Sequence, residues 1–292
     1  MIYSLCHYHQ VTNSKSKLSE NLPRIWWCPT GPLAFLPIHA AGIYVQDRGK
    51  PKECLSDFAV SSYIPTVNAL KKPKLNSTVK QGNVSTGLLI VSQPNTPGQT
   101  PIPYVAVEAR TISEQLENRG ISSITLNDER GTVNDVLKAM ESFTSIHLAC
   151  HASQNMTSPL KSSIYLHDGQ LSLSEIMKKN LPHSDFAFLS ACQTSMGDEK
   201  LSEEVVHLAA GMMAAGYQSI VGTMWSILDI HGPDLAELFY ESFTGNITNE
   251  GSKIDGAQAA RALHCATQHF QEKYSDLPCP LLAWVPYIHI GI

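Results

Sequence analysis

The sequence is poor in charged residues and has no strong excess of either sign. Charged residues make up 16% of the 292 positions, and the formal net charge is −5. Nucleic-acid binding depends on clustered Lys and Arg side chains that neutralise phosphates. The most basic stretch, Lys71 to Lys74, is short and is interrupted by Pro73, which is typical of a solvated loop. The composition therefore argues against nucleic-acid binding as the main function.

Signals for secretion and membrane insertion are also missing. No apolar run approaches the ~20 residues of a membrane-spanning helix. The N-terminal residues, MIYSLCHYHQ, have neither a basic start nor an apolar signal core. The seven cysteines are an odd number and lack the spacing of a disulfide scaffold, so reduced thiols are expected. We therefore expect a cytoplasmic protein that does not contact a membrane.

Hydrophobic residues, at 43% of the chain, are sufficient for a sizeable buried core. Residues 71–86 are rich in Lys, Asn, Ser and Gly and are typical of a connection. They separate an N-terminal part, 1–80, from the remainder, 86–292. In the N-terminal part, residues 26–45 and 57–70 are apolar and interrupted by Pro. We predict that this part forms a companion subdomain of short strands and a helix.

Beyond this connection, apolar strand patterns alternate with helical periodicity. The predicted strands cover 88–91, 121–126, 143–150, 186–191, 219–225 and the C-terminal AWVPYIHIGI, and the predicted helices cover 105–118, 133–142, 173–179, 203–215, 233–244 and 256–274. Strands that alternate with helices predict an α/β fold with a mostly parallel sheet covered on both faces.

A histidine and a cysteine each come directly after a predicted strand, at His151 and Cys192. Chemistry in such sheets gathers at the carboxyl ends of the strands, so both residues are expected at the same edge. A thiol is nucleophilic as a thiolate, and an adjacent imidazole can take its proton and return it to a leaving amine. The backbone N–H groups of Cys192 and Ala152 are candidate donors to the oxyanion of an acyl transfer.

Two other interpretations of the pair remain open from the residues alone. Cys192 could be an inert buried cysteine, because most free cysteines are. Together with His147 and Cys150, the pair could also suggest a zinc cluster. Strand geometry disfavours the cluster, because His147 and His151 lie well apart along a strand and Cys150 points to the opposite face. We therefore predict neither a metal nor a cofactor.

The segments around the pair belong to a longer pattern. WWCPTGPLAFLPIHAAG, HLACHAS, FLSACQTSMGD, GMMAAGYQSIVGTMWSILD and PLLAWVPYIHIG occur in the order seen in CHAT-domain proteins. From about Trp26 to Ile292 the sequence resembles this family, which is related to caspases and separases. The resemblance implies a caspase-like cysteine protease fold in which His151 and Cys192 form the catalytic dyad.

Two positions depart from the patterns of related proteins. Ala152 follows the histidine where relatives usually have Gly, and Ser190 stands where caspases carry Gln and arginine-cleaving relatives often carry Asp. By similarity to caspases, Trp225 and Ser226 are expected to pair in β fashion with an extended substrate. Asp229 could supply negative charge for a basic substrate side chain, and its alternative role is that of a helix-capping residue.

The resemblance implies a cysteine endopeptidase that cleaves a protein substrate under regulation in signalling, defence or programmed cell death. It also implies pore-forming or signalling proteins as substrates and attached repeat or regulatory domains. One alternative is a caspase-like interaction module that does not cleave, which is motivated by Ala152 and by the uncharged Ser190. Another is a different Cys-His acyl-transfer enzyme, such as an amidase. An extended groove beside Trp225 would favour the endopeptidase, and a small closed pocket would favour the amidase.

Overall fold

The structure of the chain is a computed structural model, and the residues it describes are 22–44, 53–71, 84–153, 155, 158–190, 192–193, 204–245, 247, 253–275 and 281–292. Within them, fourteen strands form three sheets, and seven α-helices and several 3₁₀ turns connect the strands.

In chain order, the strands are β1 (Arg24–Trp27), β2 (Gly42–Ile43), β3 (Glu53–Cys54), β4 (Val60–Tyr63), β5 (Ser85–Ser92), β6 (Ser123–Asn127), β7 (Phe143–Ala149), β8 (His151–Ser153), β9 (Ser163–Leu166), β10 (Gly169–Ser172), β11 (Phe186–Leu189), β12 (Cys192–Gln193), β13 (Ser219–Thr223) and β14 (Tyr287–Gly291). The α-helices are α1 (Tyr104–Glu117), α2 (Val133–Met140), α3 (Leu173–Lys178), α4 (Glu204–Ala215), α5 (Gly232–Thr244), α6 (Ala259–Lys273) and α7 (Leu281–Trp284).

The main sheet has eight strands in the order β1-β4-β14-β13-β11-β7-β5-β6. Each neighbouring pair runs parallel except β13 and β14, which are antiparallel. Parallel strands are joined by helical crossovers that must pack on the faces of the sheet. The predicted α/β fold with a mostly parallel sheet flanked by helices is therefore confirmed.

Two apolar cores lie on opposite faces of this sheet. Side chains alternate across a strand, so Leu88 and Ile90 of β5 face one core while Leu89 and Val91 face the other. The first core includes residues of α1, α5 and α6, and the second includes residues of α2, α3 and α4. This two-sided burial explains why β5 appears in the sequence as a continuous apolar run rather than an alternating one.

The N-terminal part of the chain continues the main sheet. β1 pairs in parallel with β4, and β4 pairs in parallel with β14 through Tyr63 and Ile290. Where a helix was expected, the described residues of this part form short 3₁₀ segments, such as Gly31–Phe35. The proposed division into 1–80 and 86–292 stays a prediction.

A row of polar side chains, which we call the polar row, crosses from β1 to β13 at Arg24, Ser62, His289 and Ser219. The two ring nitrogens of His289 on β14 lie 3.0 Å from Ser62 Oγ on β4 and 2.8 Å from Ser219 Oγ on β13. Arg24 on β1 donates from Nε to Ser62 Oγ over 2.9 Å. The row therefore supplies hydrogen-bond partners to polar groups buried between four strands.

The second sheet is small, and its order is β10-β9-β8-β12. It begins where two central strands of the main sheet stop. β7 ends at Ala149 and the chain resumes as β8 at His151, while β11 ends at Leu189 and the chain resumes as β12 at Cys192. The predicted strands over 143–150 and 186–191 were single continuous segments, and the sequence prediction missed β8, β9, β10 and β12.

Candidate active site

The small sheet brings the two candidate catalytic residues together. β8 and β12 pair in parallel, with Cys192 opposite His151 and Gln193 opposite Ala152. Neighbouring strands lie about 4.8 Å apart, so the backbones of His151 and Cys192 are direct neighbours. Each is the first residue of its short strand.

The imidazole of His151 is held in one orientation by the backbone. Its side chain is buried, and Nε2 lies 2.7 Å from the carbonyl oxygen of Thr100. A carbonyl oxygen can only accept, so Nε2 carries the ring proton and donates it. Among the described residues, no hydrogen-bond partner reaches Nδ1. A neutral imidazole with this tautomer presents Nδ1 as a proton acceptor, which is the requirement for a general base.

Sequence reasoning missed Thr100, because the contact uses its backbone carbonyl, and every residue has one. Thr100 lies in the loop between β5 and α1, a stretch rich in Pro and Gly that is typical of a connection. Pro101 and Pro103, which follow it, restrict the backbone and remove two N–H donors from this loop. These prolines were the only local indication that the backbone of this loop is conformationally restricted.

Ala152, a candidate oxyanion donor, lies inside β8 rather than in a loop after a strand. It is opposite Ile164 of β9 on one side and Gln193 of β12 on the other, and it is buried. The N–H groups of a strand lie in the plane of the sheet and point toward its neighbours. The oxyanion roles of the Ala152 and Cys192 N–H groups stay predictions.

Ser190 lies beneath the site in a buried contact. Its hydroxyl donates to Oε2 of Glu108 on α1 over 3.0 Å, and its N–H donates to the carbonyl of Leu148 over 2.9 Å. The side chain of Ser190 is 3% exposed. The predicted contact of Ser190 with a substrate therefore stays a prediction, and the residue has a structural contact that the sequence did not reveal.

The segment after β13 carries the other predicted substrate-binding residues. The N–H of Met224 donates to the carbonyl of Pro286 over 2.7 Å, so β pairing with a substrate would have to come from residues beyond it. Trp225 is partly buried against the core that includes α5, and Ser226 is exposed. The predicted pairing of Trp225 and Ser226 with a substrate stays a prediction.

Asp229 is linked to the start of α1. Its Oδ2 accepts a hydrogen bond from the N–H of Tyr104 over 3.1 Å, which satisfies one of the unpaired N–H groups in the first turn of a helix. Burial raises the pKa of the Asp229 carboxyl above its ordinary value, and the hydrogen bond from Tyr104 opposes this shift. The charge of Glu108 raises this pKa further, whereas a protonated His151 lowers it. Asp229 therefore lies within electrostatic reach of His151.

Two findings bear on the other function classes. Among the residues that the structure describes, no three His, Cys, Asp or Glu side chains are grouped so that they could hold a metal ion. Within the same residues, every helix is too short or too polar to cross a bilayer.

Comparison with known proteins identifies the fold. The CHAT domain family matches residues 8–292. None of the curated proteins matches the chain significantly. Gingipain R (RgpB), described as an Arg-specific cysteine proteinase, superposes with a TM-score of 0.51 at 14% identity, over 94% of this chain and 64% of its own. RgpB of Porphyromonas gingivalis, in the complex of its pro- and mature domains, gives a TM-score of 0.50 at 13% identity, over 94% of this chain and 66% of its own.

Separase of Saccharomyces cerevisiae, in complex with securin, superposes with a TM-score of 0.52 at 14% identity. This likeness covers 82% of the present chain and 14% of the separase chain. The chain thus spans less than two thirds of these structures, and at such identities the likeness shows the fold alone. The fold is that of caspase-like cysteine proteases. The chain belongs to the CHAT-domain family.

Proposed function

We propose that this CHAT domain is a cysteine endopeptidase in which His151 is the general acid and base and Cys192 is the nucleophile. The observation that carries the proposal is the pairing of β8 with β12, which sets the backbones of these two residues side by side. The hydrogen bond between His151 Nε2 and the Thr100 carbonyl supports it, because it leaves Nδ1 as the basic nitrogen.

The proposed reaction begins with proton transfer from the Cys192 thiol to Nδ1 of His151. The thiolate attacks the carbonyl carbon of the substrate, a C–S bond forms, and the carbonyl oxygen becomes an oxyanion. In the proposal, the N–H groups of Cys192 and Ala152 donate to this oxyanion. As the tetrahedral intermediate collapses, the C–N bond breaks and His151 returns its proton to the leaving amine. Water, deprotonated by His151, then hydrolyses the thioester and restores the thiol.

Substrate recognition is proposed for the segment that follows β13. Ser226 is exposed, and Trp225 is only partly buried, so both can contact an extended peptide. Asp229 offers negative charge to a basic side chain, and the name of the similar gingipain R specifies arginine. The proposed substrate is a protein of a signalling, defence or cell-death process in the cytoplasm, with pore-forming proteins among the candidates. Attached repeat or regulatory domains would control access to the site.

A non-cleaving interaction module is the second candidate. Two observations favour it: Ala152 lies in a strand that is paired on both sides, and the Ser190 hydroxyl is turned toward Glu108. In this alternative, Cys192 has the reactivity of an ordinary thiol, and the fold serves as a binding surface.

Unbiased cleavage profiling tests the leading proposal. Purified wild-type protein and its Cys192→Ala variant would be incubated with a cell lysate, and new peptide termini would be identified by mass spectrometry. The proposal expects termini that appear with the wild type and are absent with Cys192→Ala and with His151→Ala. Identical termini from the wild type and Cys192→Ala would exclude a cysteine protease and favour the interaction module.

A further inference from the structure

We infer that Glu108 is a positioning residue that holds together the two strands leading to the candidate dyad, an inference whose catalytic consequence rests on the proposed function. Glu108 lies on α1, and its side chain is 2% exposed. Such burial of an acidic residue is costly unless nearby groups compensate its charge, so its contacts identify its role.

The two carboxylate oxygens of Glu108 reach different strands. Oε2 accepts from the hydroxyl of Ser190, which follows β11 and precedes Cys192 by two residues. Oε1 lies 3.1 Å from Nε2 of His147, which is on β7 and precedes His151 by four residues. The latter contact is at ion-pair distance but lacks the geometry of a hydrogen bond. One carboxylate thus contacts the carboxyl ends of both strands from which the dyad residues continue.

The position of His147 is itself fixed by aromatic neighbours. Its ring stacks on Phe188 of β11 with centroids 4.8 Å apart, and its Nδ1 lies 3.1 Å from the hydroxyl of Tyr240 on α5. Burial, and then the charge of Glu108, raise the pKa of Tyr240 well above its ordinary value, so the phenol at this contact is protonated. His147 is thus held between β11 and α5, and its second ring nitrogen, Nε2, is the one beside Glu108.

Two other hydrogen bonds near the dyad are made by the start of α1 and by the loop that precedes it. The loop just before it supplies the Thr100 carbonyl that orients His151, and its first N–H binds Asp229 of the proposed substrate segment. Glu108 lies about one turn farther along the same helix. There is little free space around it, because a methyl group added at Gly232 would lie 3.0 Å from Oε2. Loss of the Glu108 contacts would therefore free α1 to shift relative to both dyad residues.

The test uses Glu108→Gln, Ser190→Ala and the double variant. Glu117→Gln, an exposed carboxylate on the same helix, is the matched control. The first measurement is the rate of Cys192 alkylation by iodoacetamide across pH, resolved from the other cysteines by mass spectrometry of the Cys192 peptide. The second is the separation of kcat from KM on a substrate found by cleavage profiling, and thermal unfolding shows whether each variant is folded.

We expect Glu108→Gln to lower the rate of Cys192 alkylation at neutral pH and kcat by about 10- to 100-fold, with KM nearly unchanged, since displacement of catalytic groups has effects of this size. Ser190→Ala should act in the same direction. The double variant should be no worse than Glu108→Gln, because both changes weaken or remove the same charge-assisted contact. Glu117→Gln should behave as the wild type. Should Glu108→Gln fail to fold, Ser190→Ala, which removes only a hydroxyl, carries the test.

Two failures are distinguishable. A wild-type Cys192 that reacts no faster than Cys192 in His151→Ala would overturn the proposed function and this inference with it. A reactive wild-type Cys192 whose rate is unchanged in folded Glu108→Gln or Ser190→Ala would overturn the inference alone. Additive losses in the double variant would equally contradict it, because the two residues would then act independently.

Discussion

Buried histidines occur in two regions of this fold, and the charges beside them are mainly acidic in one region and mainly basic in the other. At the carboxyl ends of β7 and β11, His147 lies beside Glu108, and His151 lies within electrostatic reach of Asp229. Nearer β1 on the same face of the sheet, His289 lies beside Arg24, and the positive charge of Arg261, opposed by that of Asp57, acts on His264. The first group borders the candidate dyad, and the second belongs to the packing between α6 and the N-terminal strands.

The two regions also differ in the hydrogen-bond partners of their histidines. Burial, and then the charge of Arg24, lower the pKa of His289 well below its ordinary value, and both of its nitrogens are bonded to serine hydroxyls. His151 is equally buried, but only Nε2 has a partner among the described residues. His151 thus differs from His289 in its set of partners rather than in its burial.

The largest expected effect comes from the same substitution made in the two regions. His151→Gln should lower kcat by about 10²- to 10⁴-fold, since it removes the proposed general base. His289→Gln should leave the kcat of folded molecules unchanged, because its contacts lie in the polar row, away from the dyad. The measurement is substrate cleavage normalised to the folded fraction from thermal unfolding. Equal losses of kcat in both variants would remove the functional distinction between the two regions.

A second prediction concerns the dependence of stability on pH. Burial, and then the charge of Arg261, lower the pKa of His264 from 6.5 to about 4. Between these values the unfolded chain binds a proton that the folded chain does not. The contribution of neutral His264 is therefore fully present above pH 6.5 and is lost as the pH falls toward 4. It amounts to on the order of 3 kcal/mol in the free energy of unfolding.

Urea unfolding of the wild type and of His264→Gln between pH 4.5 and 7.5 checks this prediction. The variant should lose less stability on acidification than the wild type. Burial also lowers the pKa of His39 to about 4. The dependence of the free energy of unfolding on pH should therefore be weaker in His264→Gln than in the wild type, but it should not disappear. Parallel curves for the two proteins would show that His264 does not titrate differently in the folded and unfolded states.

A third prediction concerns the contribution of the polar row to the free energy of unfolding. His289→Ala leaves Ser62 and Ser219 without their shared partner in a buried environment and should lower the free energy of unfolding by about 2 kcal/mol. His289→Gln, which retains a donor and an acceptor, should cost less. The measurement is urea unfolding at pH 7.5, where the imidazole is neutral. An alanine variant as stable as the glutamine variant would show that the row contributes little.

The central strands of the main sheet, β5, β7, β11 and β13, could be predicted from sequence because they are largely buried on both faces and the helices between them are amphipathic. Leu88 to Val91 of β5 form a continuous apolar run between polar connections, and Gly120, with φ of +67°, follows α1 as a helix-terminating glycine. Such patterns depend on local periodicity, which a single sequence displays.

The small sheet and the supports of the site depend on contacts that local periodicity does not display. β8 and β12 contain three and two residues, too few for a pattern. Glu108 was a different case, because it lies on the buried face of α1 together with Val105 and Ile112. A charged residue at an apolar position of the helical period was the signal that could have found it.

The smallest expected effect concerns Asp229, which has one observed contact and one proposed role. Asp229→Ala removes the acceptor for the Tyr104 N–H and should lower the free energy of unfolding by about 1 kcal/mol, whereas Asp229→Asn retains an acceptor and should cost less. If Asp229 also binds a basic substrate side chain, both variants should raise KM for substrates with Arg or Lys at the cleavage site and leave KM for uncharged analogues unchanged. Urea unfolding and cleavage of matched peptides separate the two effects. A loss of stability with no change in KM would show that Asp229 only stabilises the start of α1. The carboxylate of Asp229, near His151, would then have no part in substrate recognition.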